Sequence, residues 1–373
     1  MTDTMAITGL GVLSGAGIGA PALAGALSAP QTTDVSEMFE EPLPGGQAHA
    51  LADFKVRDHL GRKGTSFYDR STAFGVVACQ EALADSALEV DDENRTRVGI
   101  VLGTTAGSVK SSWDYTTETL TQERPYLVNP VLFPNAVMNC TAGQAAIRHN
   151  LRGPNATVAG GPLAMLNVLR YSRNLLNCGY ADALLSGSIE EFGPQEAWRV
   201  HHAQSLEGGD LLPGEGAAVF VIESAEAVRA AGRTPDVEVL AVETGVFDPA
   251  SAGSGLADGL TLCLSRALER AGVTAGQVST VATAANGMTR LDEAEEAAIN
   301  AVLGSDVPRL EVKEATGETS SASGALQLAA LLARHRGGEA GDGDISVITS
   351  RDEEGAAGAA VIRGWNRAHG DNG

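Results

Sequence analysis

One order of elements occurs twice along this chain, and that repetition limits the fold more than any single motif. In the first pass a small-residue turn at Gly160-Gly161 opens a helical stretch, Leu163–Leu176. There follow Gly179-Tyr-Ala-Asp182, a short apolar strand Ala183–Ser186, the acidic pair Glu190-Glu191 and a Gly/Ala-rich strand, Gly214–Val221. In the second pass Ser321-Ala-Ser-Gly324 opens a helix that runs to His335. Then come Gly341-Asp-Gly-Asp344, the strand Ile345–Thr349, Asp352-Glu-Glu354 and Gly358–Ile362. A duplicated α/β unit accounts for both passes at once.

Strands alternating with helices predict a mostly parallel sheet. Upstream, Met5–Thr8 reads as a strand entering a Gly-rich turn (Gly9, Gly11, Gly15), Ser71–Leu83 as an amphipathic helix, and Val98–Leu102 as a strand ending in Gly103–Gly107. The Ala-, Arg- and Pro-containing stretch Glu223–Asp236 marks the junction, dividing the chain into halves 1–228 and 229–373. Pro30–Gly46 reads as a surface loop, and the polar tail after Arg363 is expected to fray.

The bulk numbers narrow the function. With 373 residues, 43% hydrophobic, the chain can bury a large core, and with only 4% aromatics that core should be aliphatic. The formal net charge of −21 repels phosphate backbones and anionic lipid, which argues against nucleic acid or membrane as main partner. Four scattered cysteines without a C-x-x-C pair fit a reducing cytosol. No basic, apolar leader opens the chain, and no run approaches the roughly 18 apolar residues of a membrane span. A soluble, cytoplasmic protein is expected, with no cofactor and no metal site. His201-His202 reads as a loop pair, and the clusters Glu190-Glu191 and Asp352–Glu354 as solvated loop ends.

Several short motifs, in order, carry a resemblance. They are Ile7-Thr-Gly-Leu-Gly-Val-Leu-Ser14, Asp69-Arg70 before a helix, Gly103–Gly107, Thr141-Ala-Gly-Gln144 through Leu151-Arg-Gly-Pro154, and Pro213-Gly-Glu-Gly-Ala-Ala218. Together they resemble the β-ketoacyl synthases over essentially the whole chain. The resemblance implies an α/β, thiolase-like fold of duplicated, five-layer αβαβα architecture in an obligate dimer.

The residues that should carry condensation are missing. The family's nucleophilic cysteine stands eight residues after the Pro of its Gly-Pro motif, and here that position is Pro162. Proline has no nucleophile and no backbone N–H, which in the family is one oxyanion donor. Losing one such donor costs about 10²–10³ in rate. Pro162 does suit the first position of a helix. The first family histidine corresponds to Asn286, in Ala284-Ala-Asn-Gly-Met-Thr289, followed by Asp292, Glu293 and Glu295. The second corresponds to Glu318, in Lys313-Glu-Ala-Thr-Gly317-Glu318. The family's Gly-Phe-Gly-Gly gate becomes Ser350-Arg351-Asp352-Glu353-Glu354-Gly355. No Gly-x-Ser-x-Gly elbow, Walker loop or zinc spacing offers replacement chemistry.

Degenerate chemistry on a surviving scaffold most resembles the chain-length factor, the β subunit of type II polyketide synthases. That resemblance implies a non-catalytic subunit that heterodimerises with an active ketosynthase, meets acyl carrier protein through the complex, and ends the partner's acyl tunnel. The positional candidates for the tunnel wall are Val109, Ser112, Trp113, Thr116 and Phe133, with ordinary core packing as the alternative for Trp113 and Phe133. Many chain-length factors carry Gln where this chain has Pro162, so a decarboxylase role resting on that Gln is excluded. Two other readings stand beside this one: a stand-alone enzyme performing acyl transfer or thioester hydrolysis through Glu318, Asn286 or Lys313, and a purely structural subunit.

Overall fold

The computed structural model describes residues 4–248 and 255–366. Ten strands lie on one continuous sheet path. The first five are β1 (Met5–Ser14), β2 (Val98–Thr104), β3 (Asn155–Ala159), β4 (Ala183–Glu190) and β5 (Gly216–Ser224). The second five are β6 (Val237–Val246), β7 (Val278–Ala282), β8 (Arg309–Leu310), β9 (Ile345–Arg351) and β10 (Ala356–Gly364). The spatial order is β3-β2-β4-β5-β1-β6-β10-β9-β7-β8. Read outward from the centre, both sets follow one plan: first strand, fifth, fourth, second, third. Antiparallel pairing of β1 with β6, from Met5↔Val239 to Ile7↔Val237, joins them.

The sheet is mixed rather than mostly parallel. In each half the second strand runs parallel to the third and the fourth, while the fifth runs antiparallel to its neighbours. The physical reason is plain at β9–β10. They are joined by the short turn at 352–355, and a hairpin can only join antiparallel strands.

Helices complete five layers. α1 (Arg70–Asp85) and α3 (Cys140–His149) cover one outer face. α6 (Gly255–Ala271) and α7 (Thr289–Leu303) cover the other. Between the sheet halves lie α4 (Ala164–Asn177) and α8 (Ser323–Arg336), each packing on strands of both. The core is aliphatic, with Phe74, Phe192 and Phe220 as its largest buried aromatics. α1 begins at Asp69, whose carboxylate accepts the Thr72 N–H at 2.7 Å and so satisfies one orphan donor of the first turn.

Gly9 and Gly11 lie inside β1, not in a turn. α1 presses so close that a Cβ on Gly11 would sit 2.0 Å from the Ala78 carbonyl oxygen, and one on Gly9 2.5 Å from that of Ala82. The glycines serve a close approach of helix to strand. His201 and His202 lie on α5 (Pro194–Glu207), where Trp198 stacks on His202, rather than on a loop. The Pro30–Gly46 loop is anchored by buried Val35 and by Phe39 against Phe192. Beyond Arg363, Gly364 closes β10 and the Trp365 N–H donates to the Asp236 carbonyl at 2.8 Å; the rest of the expected tail, from 367, lies outside the described residues.

Candidate functional site

Four chain segments far apart in sequence meet where α4 and α8 begin. β3 ends at Ala159, and Gly160-Gly161 turns the chain into one 3₁₀ turn, Gly161–Leu163, ahead of α4. Gly161 has φ +48°, which glycine adopts without strain, and Pro162 follows at the helix start as its fixed φ favours. The second half builds the same device: the 3₁₀ turn Ser320–Ala322 precedes α8, with Ser320 at φ +40°. The loop after β7 supplies Asn286, and the end of β9 with the turn that follows supplies Arg351–Glu354.

These segments enclose a cavity of about 550 Å³. Pro162, Asn286, Glu318, Arg351, Asp352 and Glu353 all line it, so six positions singled out in the sequence converge. Lys313, Arg199, Thr105 and Ser320 complete its polar wall. The tunnel candidates do not line it. Val109, Ser112, Trp113 and Thr116 lie on α2 (Val109–Thr121), and Phe133 sits on a short turn beside it, its ring 5.9 Å from Tyr115. Trp113 and Phe133 are 56% and 55% exposed, which overturns core packing for both.

The cavity floor is a self-paired ionic network. Glu318 accepts from Lys313 Nζ at 2.8 Å, from the Ser320 N–H at 2.8 Å and from Asn286 Nδ2 at 3.3 Å. Burial by itself would raise the Glu318 pKa, but the Lys313 charge and hydrogen bond, helped by Arg199 and the Ser320 N–H, bring it down to about 2. Asn286 also accepts from Arg351 Nη2 at 3.4 Å, and Arg351 ion-pairs with Asp292 and, at 3.1 Å, with Glu295. The Pro162 carbonyl accepts the Ser350 hydroxyl at 2.6 Å.

Beside this network stands a second, differently tuned acid. Glu190 accepts from Thr105 Oγ1 at 2.5 Å and Ser321 Oγ at 2.6 Å; burial, with repulsion from Glu196, raises its pKa to about 8. Its neighbour Glu191 accepts from Ser108 Oγ at 2.8 Å, the Ser71 N–H at 3.1 Å and the Lys110 N–H at 3.2 Å, so one carboxylate serves the N-termini of both α1 and α2. Burial and Asp69 raise the Glu191 pKa to about 7. Both are buried, not solvated loop ends, because the small-residue strand β4 carries its last residue Glu190 inside and Glu191 follows directly. Asp352–Glu354 does lie at a partly exposed turn.

Sequence reasoning did not find Thr105, Arg199 or Ser320. Ser320 had one available signal, its place at the second-half counterpart of the Gly160-Gly161 turn; Arg199 on α5 had none.

Chemically, the cavity wall holds a carboxylate fixed by a lysine and the paired hydroxyls of Thr105 and Ser320, with the acid Glu190 behind them, bonded to Thr105. None of its lining residues is Cys or His. Among the described residues, no helix is long and apolar enough to cross a membrane.

Comparisons with known proteins agree with this geometry. The beta-ketoacyl synthase N-terminal domain family matches residues 4–228, and its C-terminal domain family residues 244–338. The chain is 28% identical over 357 residues to a 3-oxoacyl-[acyl-carrier-protein] synthase 2 of Rhizobium meliloti, covering 86% of this chain and 83% of the relative. It is 26% identical to the protein of the same name in Vibrio cholerae over the same shares. Among solved structures, the ishigamide ketosynthase/chain length factor superposes with TM-score 0.84 at 36% identity, covering 97% of this chain and all of that one. The type II polyketide synthase ketosynthase AntDE bound to its acyl-carrier protein AntF shares the fold at TM-score 0.79 and 16% identity. Shared topology, paired helix starts and matches over most of the chain place it in the β-ketoacyl synthase family, and it resembles the solved ketosynthase/chain length factor.

Proposed function

We propose that this chain is a non-catalytic chain-length subunit that heterodimerises with an active ketosynthase and shapes its acyl tunnel in type II polyketide synthesis, meeting acyl carrier protein through the complex. The observation that carries the reading is Pro162: at the start of α4, where the family's nucleophile stands, this residue offers neither thiol nor N–H. Around it the histidine positions hold Asn286 and Glu318, tied to each other at 3.3 Å.

The stand-alone enzyme is less well supported. A carboxylate with pKa about 2, fixed by Lys313, is a weak general base near neutral pH. The hydroxyls of Thr105 and Ser320 lie 3.0 Å apart beside Glu190, and an acid of pKa about 8 holds its proton rather than taking one. The cavity therefore offers no activated nucleophile.

A partner is supported by the surface. Trp113, Tyr126, Leu127, Val131, Phe133, Met138 and Ile147 are each about half exposed or more, all within α2, α3 and the segment between them. Single exposed apolar side chains are ordinary; this many in one stretch beside an open sheet edge suits an interface.

The test is co-expression with candidate ketosynthases and analysis of product length. Trp113→Ala is expected to lengthen the products by opening volume at the tunnel end. Unchanged lengths across Val109, Ser112, Trp113, Thr116 and Phe133 variants would remove the tunnel assignment. A stable homodimer that turns over acyl thioesters unaided would remove the whole reading.

A further inference from the structure

The turn joining β9 to β10 forms one wall of the cavity through Arg351, Asp352, Glu353 and Glu354. It is fastened from three directions. Ser350 Oγ donates to the Pro162 carbonyl at 2.6 Å, tying the end of β9 to the start of the first-half helix. The Arg351 side chain, only 1% exposed, ion-pairs with Asp292 and with Glu295 and donates to Asn286 Oδ1. Asp352 Oδ1 accepts the N–H groups of Glu354 at 2.9 Å and Ala356 at 2.7 Å, closing the turn on itself.

The acceptors around Arg351 are committed in turn. Asp292 takes the N–H groups of Asn286 and Gly287 at 3.1 and 2.9 Å. Glu295, 2% exposed, takes the Ala284 N–H at 2.8 Å and the Thr349 hydroxyl. The guanidinium thus joins the β9–β10 turn to the 284–288 loop through carboxylates that already hold that loop. Swinging either segment away would strand a buried guanidinium and two carboxylates together. A buried charge left without its partner is strongly unfavourable, so the parts move together or not at all.

We infer that Arg351 is a positioning residue that pins the β9–β10 turn and the Asn286 loop into one rigid wall, so the cavity has a fixed side and no movable gate. The inference rests on the subunit reading for its purpose: a chain that receives no thioester of its own has no use for a gate. Its geometry stands independently of that reading.

Hydrogen–deuterium exchange read by mass spectrometry tests it on the full chain, in the assembly in which it purifies. Amides of segments 351–357 and 285–288 are expected to exchange at least about tenfold more slowly than those of the exposed turn 338–342. Arg351→Met is expected to speed both segments together by about tenfold or more while leaving α8 unchanged, and Arg351→Lys to fall between. Exchange in the native chain as fast as at 338–342, or release of one segment without the other, would overturn the pin. Should Arg351→Met not fold, Asp292→Asn decides by the same two segments. Partner binding is a separate readout, so failure of the subunit reading leaves these rates unaffected.

Discussion

The two halves of the chain are copies of one plan finished differently. In the second half the outer strand β8 is two residues long, and the inner helix α8 is buried over nearly its whole length, covered in part by the short helix Ala20–Ser28. In the first half the outer strand β3 has five residues and, among the described residues, pairs with β2 alone. Its inner helix α4 leaves Arg170, Tyr171 and Asn174 exposed. A short edge is a protected edge, and a longer open one is a template for another strand. One copy has been sealed within the chain; the other presents the surface a partner would complete.

Their polar interiors differ as well, and the largest expected effect comes from breaking that contrast. The second-half helix start holds a buried ion pair, Lys313–Glu318, whereas the first-half start holds a neutral hydrogen bond from Ser350 to the Pro162 carbonyl. Lys313→Met strands the Glu318 carboxylate and is expected to cost about 3–5 kcal/mol in chemical denaturation, with much of it recovered in Lys313→Met/Glu318→Leu. Ser350→Ala is expected to cost only about 1 kcal/mol. Equal costs for the two single variants would dissolve the contrast.

The same contrast should appear in pH. Glu318 has its folded pKa depressed from 4.5 to about 2, so its contribution is present above 4.5 and lost as pH falls toward 2. Glu190 and Glu191 have theirs raised from 4.5 to about 8 and 7, so the native chain binds more protons and stability falls as pH climbs from 4.5 through 8. Thermal unfolding is therefore expected to peak near pH 5 and decline on both sides. Glu190→Gln or Glu191→Gln should flatten the upper limb alone, and Glu318→Gln the lower limb alone. A limb that responds to the wrong variant would reassign the groups.

The open edge of β3 gives a sharper, smaller test. Pro154 O accepts from Ile100 N–H, and Gly160 N–H donates to Thr104 O, so ladder alternation turns the N–H groups of Asn155, Thr157 and Ala159 outward. Thr157→Pro thus removes an outward donor while sparing the ladder to β2, as prolines on edge strands do. Each acceptor left unmade on a partner strand costs about 1–3 kcal/mol, roughly tenfold to a hundredfold in association. Size exclusion with the co-expressed ketosynthase should show weakened pairing, with unfolding of the chain alone little changed. Undiminished pairing would move the interface elsewhere.

Much of this was legible before any coordinates. The duplicated order of elements gave the repeated topology, because each copy must bury the same faces. The resemblance implied that Pro162, Asn286 and Glu318 share one site, and the segments after β3, β7 and the short helix Lys313–Thr316 do bring them to one cavity. What was not legible depended on tertiary approach. Gly9 and Gly11 read as a turn because nothing local reveals a helix 2.0 Å from a missing Cβ. Glu190 and Glu191 read as solvated because carboxylates usually are; their donors lie on the segments around Thr105, Ser108, Ser71 and Ser321, far along the chain. Trp113 and Phe133 left tunnel wall and core packing equally open, since an interface residue has core composition.

The smallest expected effect concerns the two turns themselves. Gly161 and Ser320 open their 3₁₀ turns at φ +48° and +40°, yet only the first is glycine. A Cβ at Gly161 meets nothing within 4 Å, so Gly161→Ala isolates backbone strain from clash and should cost about 1–2 kcal/mol. Ser320→Gly relieves strain of the same order but loses the hydroxyl contact with Thr105 at 3.0 Å, worth about 1 kcal/mol. Its net effect on chemical denaturation should be near zero. A stabilisation above about 1 kcal/mol would mean the Ser320 hydroxyl holds little and the strain is stored without return. A loss of that size would mean the Thr105–Ser320 contact bears on the second-half site as strongly as its ion pairs do.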